Sequence, residues 1–314
     1  MSQSVSVVLP TFNGERYIAE AINSALAQTV PPHEIIAIDD GSTDRTEAIV
    51  RSFGAKVRYI RQTNKGVAGA YNTGIAAATG THIAFLEHDD VWLPEKNALQ
   101  LAAFAESDSI GMIFSPVVLV EDGISSKRNH IDPQFEGGEY SFADFFARNR
   151  VLNCSSVMLK RAVLEEVGGF REDLQLAFDY DLWLRIAAES RVVSLDAPLA
   201  KYRLHSGNLS RDDNELMAAE GSLKTMLHWV NNVCASERVG RSAVKERVAA
   251  LHRRVAWAYA QIGRRNDEQL HLWEAVKMQP SSLSGWRRYL WSRVAPQTRS
   301  RLTWYRQRMM SIFR

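Results

Sequence analysis

The order of apolar and amphipathic segments predicts an α/β protein: a mostly parallel sheet flanked by helices, followed by a helical region. Three observations carry this. In the first ninety residues, four short apolar runs are separated by three runs with helical spacing, the pattern of strands linked by crossover helices. The apolar runs are greasy on nearly every residue instead of alternating, as strands buried on both faces are. After about Asp213 the strand signals stop and apolar residues recur only at helical spacing. The chain has 314 residues, 46% hydrophobic and 24% charged, which fits a globular protein of more than one domain. Such a composition excludes a disordered tail, a collagen-like repeat and a coiled coil.

The first strand is residues 5–9 (VSVVL), ended by Pro10 and the turn-forming Asn13-Gly14. Tyr17 to Ala27 then sets Ile18, Ala21, Ile22, Ala25 and Leu26 on one helical face, and Pro31-Pro32 stop it. Residues 34–38 (EIIAI) form the second strand. The turn Asp39-Asp-Gly-Ser-Thr43 follows, with Ser42 or Thr43 expected to cap a helix running to Phe53. Residues 57–60 are the third strand, 66–78 the third helix and 82–86 the fourth strand. Farther on, Gly111 to Val120 and Val192 to Tyr202 read as strands, the latter broken at Pro198, with a polar stretch from Glu121 to Gly138 after the first of them. Phe178 to Glu189 is expected to be helical, with Trp183, Leu184 and Ile186 in the core. From Glu215 to Gln279, Val248, Leu251, Val255, Tyr259 and Ile262 mark a helical face, with breaks at Gly240 and Gly263. The block Ala256 to Pro280 has the look of one helix-turn-helix repeat. We therefore expect two domains, 1–213 and 214–314.

Charge divides the same way. Residues 215–314 hold 18 Lys/Arg against 7 Asp/Glu, while the whole chain carries only a net +2. Six of eight tryptophans follow Asn214, and the last thirty residues carry eight arginines and no acid. Arginine draws a segment towards anionic lipid and tryptophan prefers the interface, so the expectation for this end is either a peripheral membrane contact or a bundle that packs its tryptophans inward. The acidic N-terminal part gives no support to nucleic-acid binding. No run of 18 apolar residues occurs and the N-terminus lacks a basic, then greasy, leader, so neither a spanning helix nor a secretory signal is expected. Cys154 and Cys234 lack metal-ligand spacing and read as small buried hydrophobes in a reducing compartment. A cytoplasmic protein, peripheral at most on the inner face of a membrane, is the expectation.

In an open parallel sheet, ligands bind beyond the carboxyl ends of the strands. The residues there are Pro10-Thr-Phe-Asn13, Asp39-Asp-Gly-Ser-Thr-Asp44, Asn64-Lys-Gly66 and Glu87-His-Asp-Asp90. Ordinary turns account for each of the first three singly. The last does not fit so easily: three carboxylates in four residues repel one another unless a cation or hydrogen-bond donors offset them. Hard oxygen ligands suit Mg²⁺ or Mn²⁺, which bind through one or two carboxylates and substrate phosphates.

The segments Val5-Ser-Val-Val-Leu-Pro-Thr-Phe-Asn13, Ile38-Asp-Asp-Gly-Ser-Thr-Asp44, Asn72-Thr-Gly-Ile75 and Phe85-Leu-Glu-His-Asp-Asp90, in that order, closely resemble glycosyltransferase family 2. That resemblance covers roughly residues 4–210 and implies a Rossmann-like GT-A fold and a nucleotide-sugar donor. It implies that Thr11 and Phe12 lie beside the nucleobase, that Asp40 accepts a hydrogen bond from it, and that Asp89 holds Mn²⁺ or Mg²⁺ on the donor diphosphate. Asn72 belongs to the same implied donor-binding set. Glu87 stands where the family usually has Asp near the ribose or metal, and Tyr71 where many members have Arg. Phe178-Asp-Tyr-Asp-Leu-Trp-Leu-Arg185 is similar to the family's catalytic helix start, which makes Asp179 the implied base, with Phe178 in place of an acid. Tyr202-Arg-Leu-His205, followed by Ser210, is like the segment that closes over the diphosphate, with His205 the implied contact.

These residue types suit the implied chemistry. A diphosphate leaves only if its charge is offset, and an acceptor hydroxyl must lose a proton as it attacks, which a nearby carboxylate takes. One base opposite the leaving group means a single displacement with inversion. The resemblance therefore implies transfer of a sugar from a UDP-, GDP- or dTDP-sugar to a glycan or lipid-linked acceptor in cell-envelope polysaccharide or glycolipid assembly. The Gln-x-x-Arg-Trp segment of processive members is absent, which favours one sugar per encounter. The plainer roles are a loop acid or helix cap for Asp89, dipole compensation for Asp179, a surface or core histidine for His205, and a solvated loop for Lys65. His88 is expected to have no ligand contact, and Trp183 to be core. Rival functions are a degenerate transferase acting as a helical adaptor and a nucleotidyltransferase. The latter usually shows a glycine-rich phosphate loop that residues 11–14 do not supply.

Overall fold

The structure, a computed structural model, describes residues 3–121, 137–208, 214–232 and 235–294. Most of the polar stretch expected from Glu121 to Gly138, together with Ser210, Cys234, Trp304 and the basic segment after residue 294, lies outside the described residues. The chain divides into two compact units, Met1–Arg211 and Asp212–Arg314.

The first unit opens as the sequence pattern requires. Strand β1 (Val5–Thr11), helix α1 (Ile18–Leu26), β2 (Glu34–Asp39), α2 (Thr46–Ser52), β3 (Arg58–Arg61), α3 (Gly66–Ala77) and β4 (His82–Phe85) alternate. Helix α2 lacks the expected cap. Asp44, not Ser42 or Thr43, accepts the Thr46 amide at 2.9 Å, because the Ser42 hydroxyl is taken by the Asn13 amide. The short β5 (Val91–Trp92) and α4 (Lys96–Phe104) lead to β6 (Ile110–Phe114) and β7 (Val117–Glu121). After the undescribed stretch come β8 (Gly138–Tyr140), α5 (Phe142–Ala147), β9 (Met158–Lys160), α6 (Arg161–Val167), α7 (Phe178–Glu189), β10 (Arg191–Ser194) and β11 (Ala200–Leu204).

The main sheet runs β3-β2-β1-β4-β9-β6-β10-β8. Strands β3, β2, β1 and β4 are parallel, and β9 enters antiparallel between β4 and β6. Every residue of β1 is buried. Val7 and Leu9 pack with Ile18 and Ile22 of α1 in one core cluster. On α3, a Cβ on Gly74 would sit 2.3 Å from Val8 Cγ1 and 2.6 Å from Ile38 Cδ1, so only glycine lets this helix lie so close to β1 and β2.

Two expected strands are each two. Residues 111–120 break at Ser115-Pro116 into β6 and β7, and residues 192–202 break before Pro198-Leu199 into β10 and β11. Proline supplies no N–H to a ladder. The halves change sheets together: β6 and β10 pair in parallel in the main sheet, whereas β7 and β11 pair in parallel in a second sheet ordered β5-β11-β7.

The second unit is helical: α8 (Glu215–Asn232), α9 (Ala235–Val239), α10 (Arg241–Gln261), α11 (Arg265–Met278) and α12 (Leu283–Arg293). Gly240 and Gly263 break it as expected, both at positive φ (84° and 75°), where glycine is favoured. Val248, Leu251 and Val255 are buried, but Ile262 is 57% exposed, because α10 ends at Gln261 and Ile262 no longer keeps the helical phase. Helices α10 and α11 form the expected helix-turn-helix block. Among the described residues, no helix is long and apolar enough to cross a membrane.

Candidate active site

The order β2-β1-β4 reverses direction between β1 and β4, and the turns that follow these strands meet at one edge of the sheet. The turn after β1 is tied to that after β2. Asn13, with φ at +50°, receives the Thr43 amide on its Oδ1 at 2.9 Å, and the Gly14 amide donates to Thr46 Oγ1 at 2.8 Å. Gly14 has no room for a side chain, since a Cβ would meet Thr11 Oγ1 at 2.5 Å and His88 at 2.8 Å.

Thr11 is 2% exposed and its hydroxyl has no hydrogen-bond partner, while neighbouring Phe12 is 47% exposed. The two acids after β2 differ. Asp39 is engaged within the fold by the Ser42 amide, the Tyr59 hydroxyl and Arg61. Asp40 accepts Gln62 Nε2 at 2.6 Å and the Lys65 amide at 2.9 Å, both on Oδ1, which leaves Oδ2 without a bond. Lys65 itself is exposed.

After β4, one oxygen each of Glu87, Asp89 and Asp90 lie within 4.8 Å of one another. Asp90 is buried and held on both oxygens. Asn153 Nδ2 and Ser155 Oγ donate to Oδ2, each at 2.6 Å, and the Arg203 amide donates to Oδ1 at 3.1 Å. Ser155 Oγ also accepts the Glu87 amide at 2.9 Å. Burial first, then the Asp89 charge, pushes the Asp90 carboxyl up to about 8. Burial, then Asp90, Asp89 and Asp179, push Glu87 well above the usual carboxylate range. Such a cluster is held together by a shared proton or by a cation, and three hard oxygens suit Mg²⁺ or Mn²⁺.

Asp89 also meets β11's exit. His205 Nε2 lies 2.9 Å from Asp89 Oδ2, and the Gly207 amide donates to Nδ1 at 3.1 Å. With Nδ1 an acceptor, neutral His205 carries its proton on Nε2 and donates it to Asp89. Arg203 ties the same segment down, from Nε to the Asp89 carbonyl at 3.0 Å and from its guanidinium to Glu20 at 2.6 Å. Tyr17 packs between Arg203 and His205.

Asp179 stands in the first turn of α7, after Ala177, which takes a left-handed φ of +64°. Burial raises its carboxyl, opposed by weaker hydrogen bonds that include Asn149 Nδ2 at 3.4 Å. Its chain neighbour Phe178 joins Phe170, Tyr71, Phe85 and Trp183 in an aromatic cluster. Tyr71 is fully buried in that cluster.

Asn72, implied as a donor contact, lies on α3. Its amide clamps the segment after α6, donating to the Phe170 carbonyl at 2.9 Å and Glu172 at 2.8 Å and accepting the Phe170 amide at 2.8 Å. Arg185 holds the same segment from α7 by bonds to the carbonyls of Val167, Gly168 and Gly169 and to Asp181. Trp183 and Cys154 are buried, as expected. His88 packs against Gly14. Asn153 and Ser155 were not legible as site residues. Their short polar run, Asn153-Cys-Ser-Ser156, looks like any loop, and only the fold carries it beneath Asp90.

The fold is that of GT-A glycosyltransferases, and the sequence profile described as glycosyl transferase family 2 matches residues 6–168. The chain belongs to that family. It is 31% identical over 210 residues to an uncharacterised glycosyltransferase of Rickettsia prowazekii, a match over 65% of each chain, so it spans less than two thirds of that relative's own length. It is 28% identical over 210 residues to the Escherichia coli UDP-Glc:alpha-D-GlcNAc-diphosphoundecaprenol beta-1,3-glucosyltransferase WfgD, covering 66% of this chain and 79% of WfgD. Among solved structures, the mannosyltransferase PcManGT of Pyrobaculum calidifontis, in complex with GDP-Man and Mn²⁺, superposes with a TM-score of 0.56 at 17% identity, over 94% of this chain and 89% of that one.

Proposed function

We propose that this chain is an inverting, metal-dependent glycosyltransferase that moves one sugar from a nucleotide diphosphate to an acceptor hydroxyl in cell-envelope glycan assembly. The observation that carries the reading is the acidic cluster after β4, where one oxygen each of Glu87, Asp89 and Asp90 lie within 4.8 Å of one another in a chain of this family. Burial first, and then the charges of Asp90, Asp89 and Asp179, raise Glu87, which supports assigning Asp179 to the same site. Thr11, Phe12 and the free Oδ2 of Asp40 are the nucleobase contacts in this reading. Asp89, with Glu87 and Asp90 beside it, holds Mn²⁺ or Mg²⁺. The bound ion supplies charge neutralisation for the departing diphosphate. His205 keeps Asp89 oriented through its Nε2 proton. Asp179, raised by burial, takes the proton of the attacking hydroxyl.

UDP and GDP donors bound or used by the relatives above support a nucleotide-sugar donor, and WfgD's diphosphoundecaprenol acceptor supports a lipid-linked one, met by this chain as a peripheral protein on the cytoplasmic face of the membrane. The test is a thermal-shift screen of UDP-, GDP- and dTDP-sugars with and without Mn²⁺. One donor is expected to stabilise the protein only when the ion is present, and Asp89→Ala to abolish that gain. A donor that stabilises equally without metal would refute the metal assignment.

A further inference from the structure

Helix α12 packs Trp286 and Tyr289 on Trp273 of α11. Gly285 and Ser292 are buried, and Arg265 and Gln269 of α11 donate to the Ser292 carbonyl at 3.3 and 2.9 Å. Three other large apolar residues of the helix face solvent: Leu283 is 85%, Leu290 58% and Trp291 42% exposed. Leu283, Arg287, Leu290 and Trp291 recur at i, i+4, i+7 and i+8, the spacing of one helical stripe. This stripe is presented outward in addition to the packed aromatic side, and an exposed apolar stripe of this kind marks an interaction surface.

The charge around the stripe says what it meets. Arg287, Arg288 and Arg293 lie on α12, which contains no acid. Arg288 also crowds Arg253 of α10, whose guanidinium is pulled below its ordinary value by burial first and then by the Arg288 charge. A second copy of the chain would set arginines against arginines. A nucleic acid would satisfy the arginines and leave two leucines and a tryptophan in water. An anionic lipid surface satisfies both, since leucine and tryptophan enter the interface while arginine stays among the headgroups.

We propose that the outer face of α12 docks the protein on an anionic bilayer, with Leu283, Leu290 and Trp291 as the inserted residues and Arg287 and Arg288 as headgroup contacts. Its purpose rests on the reading that the acceptor is lipid-linked: docking confines the enzyme to the surface that carries the acceptor.

The experiment is sedimentation of the full chain with vesicles of phosphatidylglycerol and phosphatidylcholine in equal amounts, against phosphatidylcholine alone. The wild-type chain is expected to partition onto the first and far less onto the second, with the difference shrinking as salt is raised. Leu283→Ser combined with Leu290→Ser and Trp291→Ser is expected to cut that partition about tenfold or more. Arg287→Gln combined with Arg288→Gln should cut it by a similar factor, and a cooperative melt of each variant well above the assay temperature separates lost docking from unfolding. Equal binding to both vesicles, no binding, or undiminished binding by the apolar variant would overturn the proposal. So would a dimer that the apolar variant dissociates, or DNA binding that only the arginine variant loses, with no vesicle binding in either case. The vesicles hold neither donor nor acceptor sugar, so failure here leaves the transfer reading standing, and loss of transfer with intact partition strikes that reading alone.

Discussion

Ser155 does two jobs with one oxygen. It donates to Asp90 Oδ2 and accepts the Glu87 amide, so it sets the spacing of the acidic cluster from below. Ser155→Ala leaves the half-buried Glu87 amide without this acceptor and Asp90 with one donor fewer, at a stability cost of about 1–3 kcal/mol. Mn²⁺ affinity, read by titration calorimetry on the protein without donor, should fall about tenfold or more, as it does when groups supporting metal ligands are lost. Unchanged Mn²⁺ affinity would mean that the cluster does not depend on its support. Asp179 gives a second residue-scale test. Its folded carboxyl is raised because burial penalises the charge, so the neutral acid favours folding. That contribution is fully present below the unfolded value of about 3.9 and is lost as pH rises through the folded one. At neutral pH, Asp179→Asn should therefore raise the melting temperature while abolishing transfer, and the stability gain should vanish in acid. Transfer by the wild type should rise with pH through the same raised value, since only the ionised form accepts a proton. Intact turnover in Asp179→Asn would remove it as the base.

The segment between α6 and α7 is held from two sides, by Asn72 of α3 and Arg185 of α7. Arg185 reaches it with three carbonyl bonds and also partners the buried Asp181, which otherwise keeps only Arg171 at 3.5 Å. Arg185→Ala should cost on the order of 3 kcal/mol in urea denaturation, chiefly because it leaves a buried carboxylate poorly compensated. A loss well under about 1 kcal/mol would show that Arg171 alone suffices. The element pattern was legible where the chain repeats itself. Apolar runs set the places of β1, β2, β3 and β4, and the spacing of Trp183, Leu184 and Ile186 set that of α7. The pairs β6/β7 and β10/β11 were not separable in this way. Apolar residues continue across Pro116 and Pro198, and only neighbouring strands decide which sheet each half joins.

At the scale of the molecule, the acidic and basic parts of the chain meet near the division between Met1–Arg211 and Asp212–Arg314. We expect the first unit, expressed alone, to melt cooperatively and to bind the donor nucleotide with the affinity of the full chain, because Thr11, Asp40, Asp89, Asp179 and His205 all lie in it. Loss of nucleotide binding in that fragment would make the helical unit part of the site. The sequence by itself determined the α/β class, the place of the acidic residues after β4, and the helical breaks at Gly240 and Gly263. These depend on local periodicity and on glycine's freedom at positive φ, which neighbours along the chain express. Tertiary structure alone decided that Asn72 is a clamp, that Asn153 and Ser155 carry Asp90, and that the apolar stripe of α12 faces outward. Each of these is a contact, or an exposure, set by segments tens of residues away, and no local pattern encodes which distant segment will arrive.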